Sequence, residues 1–133
     1  MKNKLIYIID DDKISVKLMS IIISKNKFCE EIDPFYNPQF ALDKLKQNYD
    51  QNEKLPDVIL LDLNMPIMDG WQFLDEFIQL QIKKKISIFM ITSSIDPFDI
   101  EMAKKYSIVK DFIMKPITAE KLNKICTLID KIN

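Results

Sequence analysis

Carboxylates follow two of the apolar runs in this 133-residue chain. Asp10, Asp11 and Asp12 follow one another, and Asp62 ends the apolar run Val58–Leu61. Asp12 is most simply the N-cap of a helix, but two acids beside a third repel one another unless a cation neutralises them. A site with few carboxylates that keeps several waters suits Mg²⁺ better than a closed Ca²⁺ cage. The acids therefore predict a Mg²⁺ site formed by Asp10, Asp11 and Asp62.

A hydroxyl and a lysine follow two further apolar runs. Thr92 follows Ile86–Ile91, and Lys115 follows Asp111–Met114 and precedes a proline that requires an extended lysine backbone. A carboxylate beside Mg²⁺ can attack phosphorus and form an acyl phosphate. The metal and an ammonium group then neutralise charge on the phosphoryl oxygens. The set predicts phosphoryl transfer to Asp62.

Each side chain has a distinct part in this chemistry. Asp62 is the expected nucleophile, Asp11 a direct metal ligand and Asp10 a second ligand, direct or through water. Lys115 supplies the counter-charge, and Thr92 supplies a switch hydroxyl for the new phosphoryl group. Taken singly, Asp62 could end a strand at a turn, Thr92 could be a strand-end hydroxyl and Lys115 a surface charge. It is their placement together at the ends of predicted strands that indicates phosphoryl transfer.

The elements that must position these residues are an alternation of apolar runs and helix-like stretches. We expect strands at Leu5–Ile9, Glu31–Phe35, Val58–Leu61, Ile86–Ile91 and Asp111–Met114. Pro34 marks the second strand as an edge strand. We expect helices at Ile14–Ile23, Pro38–Leu45, Trp71–Ile82, Pro97 to about Tyr106, and after Thr118. Predicted N-caps are Asn37, Asp96 and Thr118.

Three of the predicted helices have apolar residues at helical spacing. These are Ile14, Leu18, Met19 and Ile22 in the first, Trp71, Leu74, Phe77 and Ile78 in the third, and Leu122, Ile125, Cys126 and Ile129 in the last. Strands alternating with helices predict a parallel α/β sheet covered on both faces by right-handed crossovers. Because the working site of such a sheet lies at the carboxyl ends of its strands, the polar residues named above are expected to meet there.

Composition limits the classes of function. The chain is 47% apolar and 29% charged, as in a globular domain, and its net charge of −1 argues weakly against nucleic-acid binding.

No apolar run approaches the roughly 20 residues that cross a bilayer, and the first residues are interpreted as a mature strand, so we expect a cytoplasmic protein with no membrane partner. Cys29 and Cys126 are expected to be reduced core thiols, with a disulfide between them as the alternative. The absence of histidine excludes a histidine base and a phosphohistidine carried by this chain. We expect one domain, residues 1–133, without an output domain.

The sequence resembles the receiver domains of two-component response regulators over essentially its whole length. The resemblance rests on IYIIDDD (Ile6–Asp12), VILLDLNMPIMDG (Val58–Gly70), IFMITSS (Ile88–Ser94) and DFIMKPI (Asp111–Ile117). The second of these motifs is highly specific.

The resemblance implies a doubly wound (βα)5, flavodoxin-like three-layer sandwich with strand order 2-1-3-4-5. It implies an acidic pair at Asp10 and Asp11, phosphorylation of Asp62, Mg²⁺ held partly by the main-chain carbonyl of Asn64, and the roles given above for Thr92 and Lys115. The donor would be a phosphohistidine on a sensor histidine kinase or a histidine phosphotransfer protein. An unknown target would bind the face made by the fourth helix, fifth strand and fifth helix. Such a domain is a signalling module that catalyses only its own phosphorylation and autodephosphorylation.

Two departures from the family pattern concern the fifth strand. The family's switch aromatic, often tyrosine, is Phe112 here, which can repack but has no hydroxyl. A glycine-alanine pair usual before that strand is replaced by Ile108-Val109. We therefore expect a different local turn, with Ser107 or Lys110 in an unusual backbone conformation.

Asn64 and Ser94 stand at positions that in the family tune the access of the hydrolytic water. Each lies two residues beyond a predicted site residue, and both are small and polar. We expect a phosphorylated form that is not long-lived.

Two other functions compete with this interpretation. One is a phosphorylation-independent interaction scaffold on the same fold. The other is a Mg²⁺-dependent aspartyl phosphohydrolase, but such enzymes place a second acid two residues after the nucleophile, where this chain has Asn64. A dinucleotide-binding fold is weaker still, because one glycine cannot make a glycine-rich phosphate loop.

Overall fold

The computed structural model describes residues 3–93 and 95–132 as strands alternating with helices. The strands are β1 (Asn3–Ile9), β2 (Cys29–Phe35), β3 (Val58–Asp62), β4 (Ser87–Thr92) and β5 (Val109–Met114). The α-helices are α1 (Lys13–Lys25), α2 (Pro38–Gln47), α3 (Gly70–Gln79), α4 (Pro97–Lys105) and α5 (Ala119–Ile132). A single 3-10 turn spans Asn52–Lys54.

The five strands form one parallel sheet in the order β2-β1-β3-β4-β5. The predicted strand order and the doubly wound fold class are confirmed. β2 lies at an edge, as Pro34 indicated. The order reverses between β1 and β3, and a crevice at the carboxyl ends of strands forms where strand order reverses.

Both faces of the sheet are covered, which gives three layers. Alternate residues of a strand point to opposite faces. Tyr7 and Ile9 therefore enter the core under α2 and α3, whereas Ile6 and Ile8 enter the core under α1 and α5. β3 and β4 are buried along their whole length, as expected of central strands covered on both sides.

Side-chain caps start the helices where the sequence indicated. Asn37 accepts a hydrogen bond from the amide of Gln39, and Asp96 accepts one from the amide of Asp99. Thr118 Oγ1 accepts one from Lys121 N at 3.2 Å. These caps satisfy amide groups that the first turn of a helix leaves without partners.

The apolar face expected for α1 is wrong in part. Its buried residues are Val16, Met19 and Ile23, whereas Ile14 is 73% exposed and Leu18 is 52% exposed. Both stripes have helical spacing, and the sheet selects the stripe nearest to it. Ile78 of α3 is likewise about half exposed.

The expected backbone geometry before β5 is also wrong. Positive φ angles of non-glycine residues in the described chain occur at Lys27 and Gln81, and not at Ser107 or Lys110. The irregularity is instead a register shift, because Ile88 pairs with Val109 while the next residue of β4 pairs with Asp111. Lys110 is thus the extra residue of a β-bulge, and β5 begins two residues earlier than expected.

Two further expectations concern membranes and thiols. Within residues 3–93 and 95–132, the helices are too short or too polar to cross a bilayer. Cys29 and Cys126 are half-buried and do not form a disulfide with each other.

Candidate functional site

Backbone hydrogen bonds extend the sheet beyond the strand ends and bring the polar residues together. Asp10 N donates to Phe35 O at 3.0 Å, and Lys115 N donates to Thr92 O at 2.8 Å. Asp62 is itself the last residue of β3 and pairs with Ile91. The side chains at the ends of four neighbouring strands are therefore held by main-chain contacts rather than by flexible loops.

Lys115 lies between the two buried acids of this edge. Its Nζ is 2.9 Å from Asp10 Oδ2 and 3.6 Å from Asp62 Oδ1. Both carboxylates are almost completely buried, and the lysine side chain is 18% exposed. The ammonium group is thus the counter-charge for two carboxylates at once.

The two oxygens of Asp10 have different partners. Oδ1 accepts a hydrogen bond from Asp12 N at 2.9 Å. Oδ2 is buried and is paired with the ammonium group of Lys115 at 2.9 Å. A carboxylate oxygen has two lone pairs, so an oxygen that is paired with one ammonium group still has a lone pair available to a metal ion.

Asp12 has the structural role that its position suggested. Its Oδ1 accepts hydrogen bonds from Ile14 N at 3.0 Å and Ser15 N at 3.3 Å, so it caps α1. Of the three consecutive acids, Asp10 and Asp11 remain for the site.

The donor set fits a hard divalent cation. One carboxylate oxygen from each of Asp10, Asp11 and Asp62 lies within 4.8 Å of the other two. Asp10 and Asp62 are buried while Asp11 is exposed, so a bound ion would keep access to water. Three carboxylate ligands with open positions for water are typical of Mg²⁺ sites.

Burial and charge repulsion act on the acceptor. Burial, and then the neighbouring Asp10 carboxylate, raise the pKa of Asp62 to about 7. Lys115 and the main-chain amide of Asn64 act in the opposite direction and lower this pKa. Burial lowers the pKa of Lys115, but the Asp10, Asp62 and Asp12 carboxylates outweigh burial and raise it. The site thus has an excess of negative charge that a cation would neutralise.

Thr92 and Asn64 lie beside the acceptor. Thr92 is fully buried at the end of β4, and its hydroxyl oxygen accepts a hydrogen bond from Asn64 Nδ2 at 3.5 Å. The sequence did not indicate this contact, because the two residues are 28 positions apart. Ser94, the other residue expected to tune hydrolysis, lies outside the described residues.

Gly70 allows α3 to start directly against the acceptor. Gly70 N donates to Leu63 O at 2.9 Å. A Cβ at this position would lie 2.9 Å from Met90 Cε, 3.1 Å from Leu63 Cα and 3.2 Å from Asp62 O. Two of these are backbone atoms, so the only glycine of the chain is needed for close approach.

Phe112, the expected switch aromatic, is half-buried on the face that also carries Met90. Its ring centroid lies 6.1 Å from that of Trp71, with an interplanar angle of 72°. Trp71 in turn donates from Nε1 to Asp99 Oδ1 at 3.3 Å. The sequence placed Trp71 on a buried face but did not indicate these two partners.

The family model described as the response regulator receiver domain matches residues 6–127. A two-component response regulator from Cytophaga hutchinsonii has a similar structure, with a TM-score of 0.88 and 32% identity, covering 98% of this chain and 99% of that one. A response regulator receiver protein from Dyadobacter fermentans has a TM-score of 0.81 and 27% identity, covering 96% of this chain and 98% of that one.

Longer proteins also match. The chain is 32% identical over 111 residues to a protein-glutamate methylesterase/protein-glutamine glutaminase from Hahella chejuensis. That match covers 84% of this chain and 28% of the relative. The chain therefore spans less than a third of the length of such relatives.

Proposed function

We propose, from the premise that this chain belongs to the response regulator receiver family, that it accepts a phosphoryl group on Asp62 from a partner phosphohistidine. The product is an acyl phosphate that changes a protein-binding surface. The activity named for the methylesterase relative is not included, because the match covers only 28% of that protein.

The observation that carries this proposal is the position of Lys115 between Asp10 and Asp62 at the carboxyl edge of the sheet. A lysine that merely neutralised a surface acid would have no need to contact two buried carboxylates. Here its ammonium group lies within 4 Å of both, beside the one carboxylate that ends a central strand. The arrangement suits a group that will pair with phosphoryl oxygens carried by Asp62.

The transfer forms one bond and breaks one bond. A carboxylate oxygen of Asp62 attacks phosphorus, and the bond between phosphorus and the imidazole nitrogen of the donor breaks, with the electron pair leaving on that nitrogen. Lys115 Nζ pairs with an oxygen of the transferred group, and the Thr92 hydroxyl donates a hydrogen bond to another. In hydrolysis, water attacks phosphorus and the bond between phosphorus and the Asp62 oxygen breaks, which returns the Asp62 carboxylate and releases inorganic phosphate.

Asp10, Asp11, Asp62 and the main-chain carbonyl of Asn64 would hold Mg²⁺. When bound, the ion neutralises the carboxylates and the phosphoryl oxygens. The three carboxylate oxygens that lie within 4.8 Å of one another support this assignment.

The surface beside the acceptor suits a protein donor. A groove next to Lys115 is lined by Asp12, Ile14, Leu18 and Ser93, among other residues. Ile14 and Leu18 are exposed apolar residues one helical turn apart, and exposed apolar patches mark protein contacts. A sensor histidine kinase or a histidine phosphotransfer protein would dock there.

The output would be the face formed by α4, β5 and α5. A phosphoryl group on Asp62 that accepts a hydrogen bond from Thr92 draws the Thr92 hydroxyl away from Asn64. This movement opens space that Phe112 can fill. The repacking of Phe112 would then alter the face to which a target protein binds.

Intact mass measurement after incubation with acetyl phosphate tests the proposal. We expect a single phosphoryl addition that requires Mg²⁺ and is lost in Asp62→Asn. Asp12→Ser, which keeps a cap for α1, is the matched control and is expected to be phosphorylated normally. No addition from acetyl phosphate or from a phosphohistidine donor, to a folded protein with Mg²⁺, would favour the interaction scaffold instead.

A further inference from the structure

Helix α4 buries little apolar surface, although Met102 and Ala103 pack against the core. Among its nine residues, the buried one is Asp99, a carboxylate in the first turn. Met102 and Ala103 are only half-buried. By contrast, α3 buries Gly70, Trp71 and three large apolar side chains. An element with so little buried apolar surface has a low local stability and is suited to movement.

Two hydrogen bonds and one ring contact join α4 and the residue at its end to one side of α3. Trp71 Nε1 donates to Asp99 Oδ1, and Asp75 Oδ1 accepts a hydrogen bond from Tyr106 Oη at 2.6 Å. Trp71 and Asp75 are four residues apart and therefore share a face of α3. The rings of Trp71 and Tyr106 also stack, with centroids 5.3 Å apart. We name these four residues the α3–α4 latch.

The base of the latch is fixed to the acceptor strand. Trp71 is 4% exposed and follows Gly70, whose amide donates to Leu63 O and at which an added Cβ would lie 3.2 Å from Asp62 O. Trp71 therefore has little freedom to move away from the sheet. Movement at the latch must come from α4 and from the residue at its C-terminal end, Tyr106.

The latch touches the switch aromatic directly. Phe112 pairs with Met90 in the sheet, and Thr92 follows Met90 by two residues, so Phe112 and Thr92 lie on the same face. The ring of Phe112 meets that of Trp71 edge to face. Trp71 is therefore in contact with Phe112 on one side and with Asp99 and Tyr106 on the other.

We propose that Trp71 is a positioning residue that transmits the state of Phe112 to α4. The inference rests on the proposed function, because it takes phosphorylation of Asp62 as the event that moves Phe112. Without a phosphoryl group, Phe112 supports Trp71, and the latch holds α4 on α3. When Phe112 moves toward Thr92, Trp71 loses its edge contact, the stacking on Tyr106 and the bond to Asp99 loosen, and α4 is released from α3.

Amide hydrogen exchange of α4, residues 97–105, tests the latch in two arms, with Mg²⁺ alone and with Mg²⁺ plus beryllofluoride as the phosphoryl mimic. Trp71→Phe keeps an aromatic ring but removes the N–H group that bonds Asp99. With Mg²⁺ alone we expect exchange of α4 to rise on the order of tenfold in Trp71→Phe, the factor for the loss of one hydrogen bond to a charged group. Beryllofluoride should raise α4 exchange in the wild type but cause little further rise in Trp71→Phe.

Phe77→Leu is the matched control. Phe77 is a buried aromatic of α3 that stacks on Phe73, outside the latch. Its truncation lowers stability by loss of packing but should leave the response of α4 to the mimic intact. Tyr106→Phe, which keeps the stacking and loses the bond to Asp75, should give a smaller rise in α4 exchange than Trp71→Phe.

The outcomes separate the inference from the function on which it rests. An Asp62-dependent thermal shift with beryllofluoride reports that the mimic binds. If that shift occurs and α4 exchange in Trp71→Phe equals that of the wild type in both arms, the inference is overturned and the proposed function stands. If the mimic does not bind, the proposed function fails and signal transmission through Trp71 fails with it. If α4 exchange with Mg²⁺ alone is the same in Trp71→Phe as in the wild type, the latch itself is overturned.

Discussion

The ammonium group of Lys115 lies 2.9 Å from a buried carboxylate oxygen of Asp10. The same ammonium group lies 3.6 Å from Asp62. In the absence of a metal ion, therefore, one partly buried lysine balances two buried acids. Most of the properties that we predict for the site follow from this shared counter-charge.

Replacement of Lys115 should destabilise the metal-free protein. Lys115→Ala leaves Asp10 and Asp62 buried without their counter-charge, and we expect a loss of about 2 kcal/mol in the free energy of unfolding. Urea denaturation without Mg²⁺ measures this loss. Lys124→Ala is the control, because Lys124 is 70% exposed and lies 3.7 Å from Asp111, and such surface pairs contribute less than about 1 kcal/mol.

Lys115→Ala should retain Mg²⁺ binding, because the carboxylates that would hold the ion are unchanged. It should lose the response of α4 to beryllofluoride, because no ammonium group remains to pair with the phosphoryl mimic. A normal response in this variant would remove Lys115 from the switching mechanism.

Asp11 should contribute directly to metal affinity. Asp11→Ala removes one of the three carboxylates that lie close together, and we expect Mg²⁺ to bind on the order of tenfold more weakly or worse, since affinity follows the number of charged ligands. Titration calorimetry measures the change. Asp12→Ser, the neighbouring cap variant, should bind as the wild type does. Equal affinity of Asp11→Ala and wild type would place the ion elsewhere.

Asp57 should make stability depend on pH in the acid range. It lies 3.0 Å from Lys84 and accepts a hydrogen bond from Lys4 N at 2.8 Å. Burial raises the pKa of Asp57, but Lys84 and the amide bonds outweigh burial and hold that pKa below its ordinary value of 3.8. The folded state therefore binds the proton less tightly than the unfolded state does. The resulting stability is complete above 3.8 and is lost as pH falls through the lower folded value.

Urea denaturation of Asp57→Asn measures this contribution. We expect a loss of roughly 1–3 kcal/mol at neutral pH, from weaker charge-assisted bonds, and a smaller loss below pH 3.8. Glu101→Gln serves as the control, because Glu101 and its partner Lys104 are both largely exposed. A deficit that is the same at acid and neutral pH would show that the charge of Asp57 is not its source.

The hydroxyl of Tyr7 should be dispensable for folding. The side chain is fully buried in the core against Phe35, and among the described residues its oxygen has no hydrogen-bond partner. Tyr7→Phe removes a buried polar group without a donor or acceptor, so we expect no loss of stability or a gain of about 1 kcal/mol. Thermal unfolding measures it, with exposed Tyr49→Phe as control. A clear loss of stability would reveal a partner for the hydroxyl.

The site was more predictable than the helix surfaces. Asp62, Thr92 and Lys115 each follow an apolar run, and parallel topology brings the ends of such runs to one edge. The choice between two apolar stripes on α1 was not predictable, because Ile14 and Leu18 have the same helical spacing as the residues that the sheet buries. Helical periodicity shows that a face exists, but packing against the sheet decides which face is buried.

Contacts between distant side chains were also beyond sequence reasoning. Trp71 and Asp99 are 28 residues apart on different helices, and nothing local in either segment indicates the other. The β-bulge at Lys110 depends in the same way on the partner strand, because its register is set by pairing with Ile88 and not by the turn residues before it.

The identity of the phosphorylated residue tests the central claim most directly. Borohydride reduces an aspartyl phosphate to homoserine, and peptide mass spectrometry then locates the modified position. After incubation with acetyl phosphate and Mg²⁺, we predict homoserine at position 62 alone, and none when Mg²⁺ is removed. Homoserine at position 10 or 11, or an equal yield without Mg²⁺, would contradict the assignment of Asp62 as acceptor in a metal-dependent site.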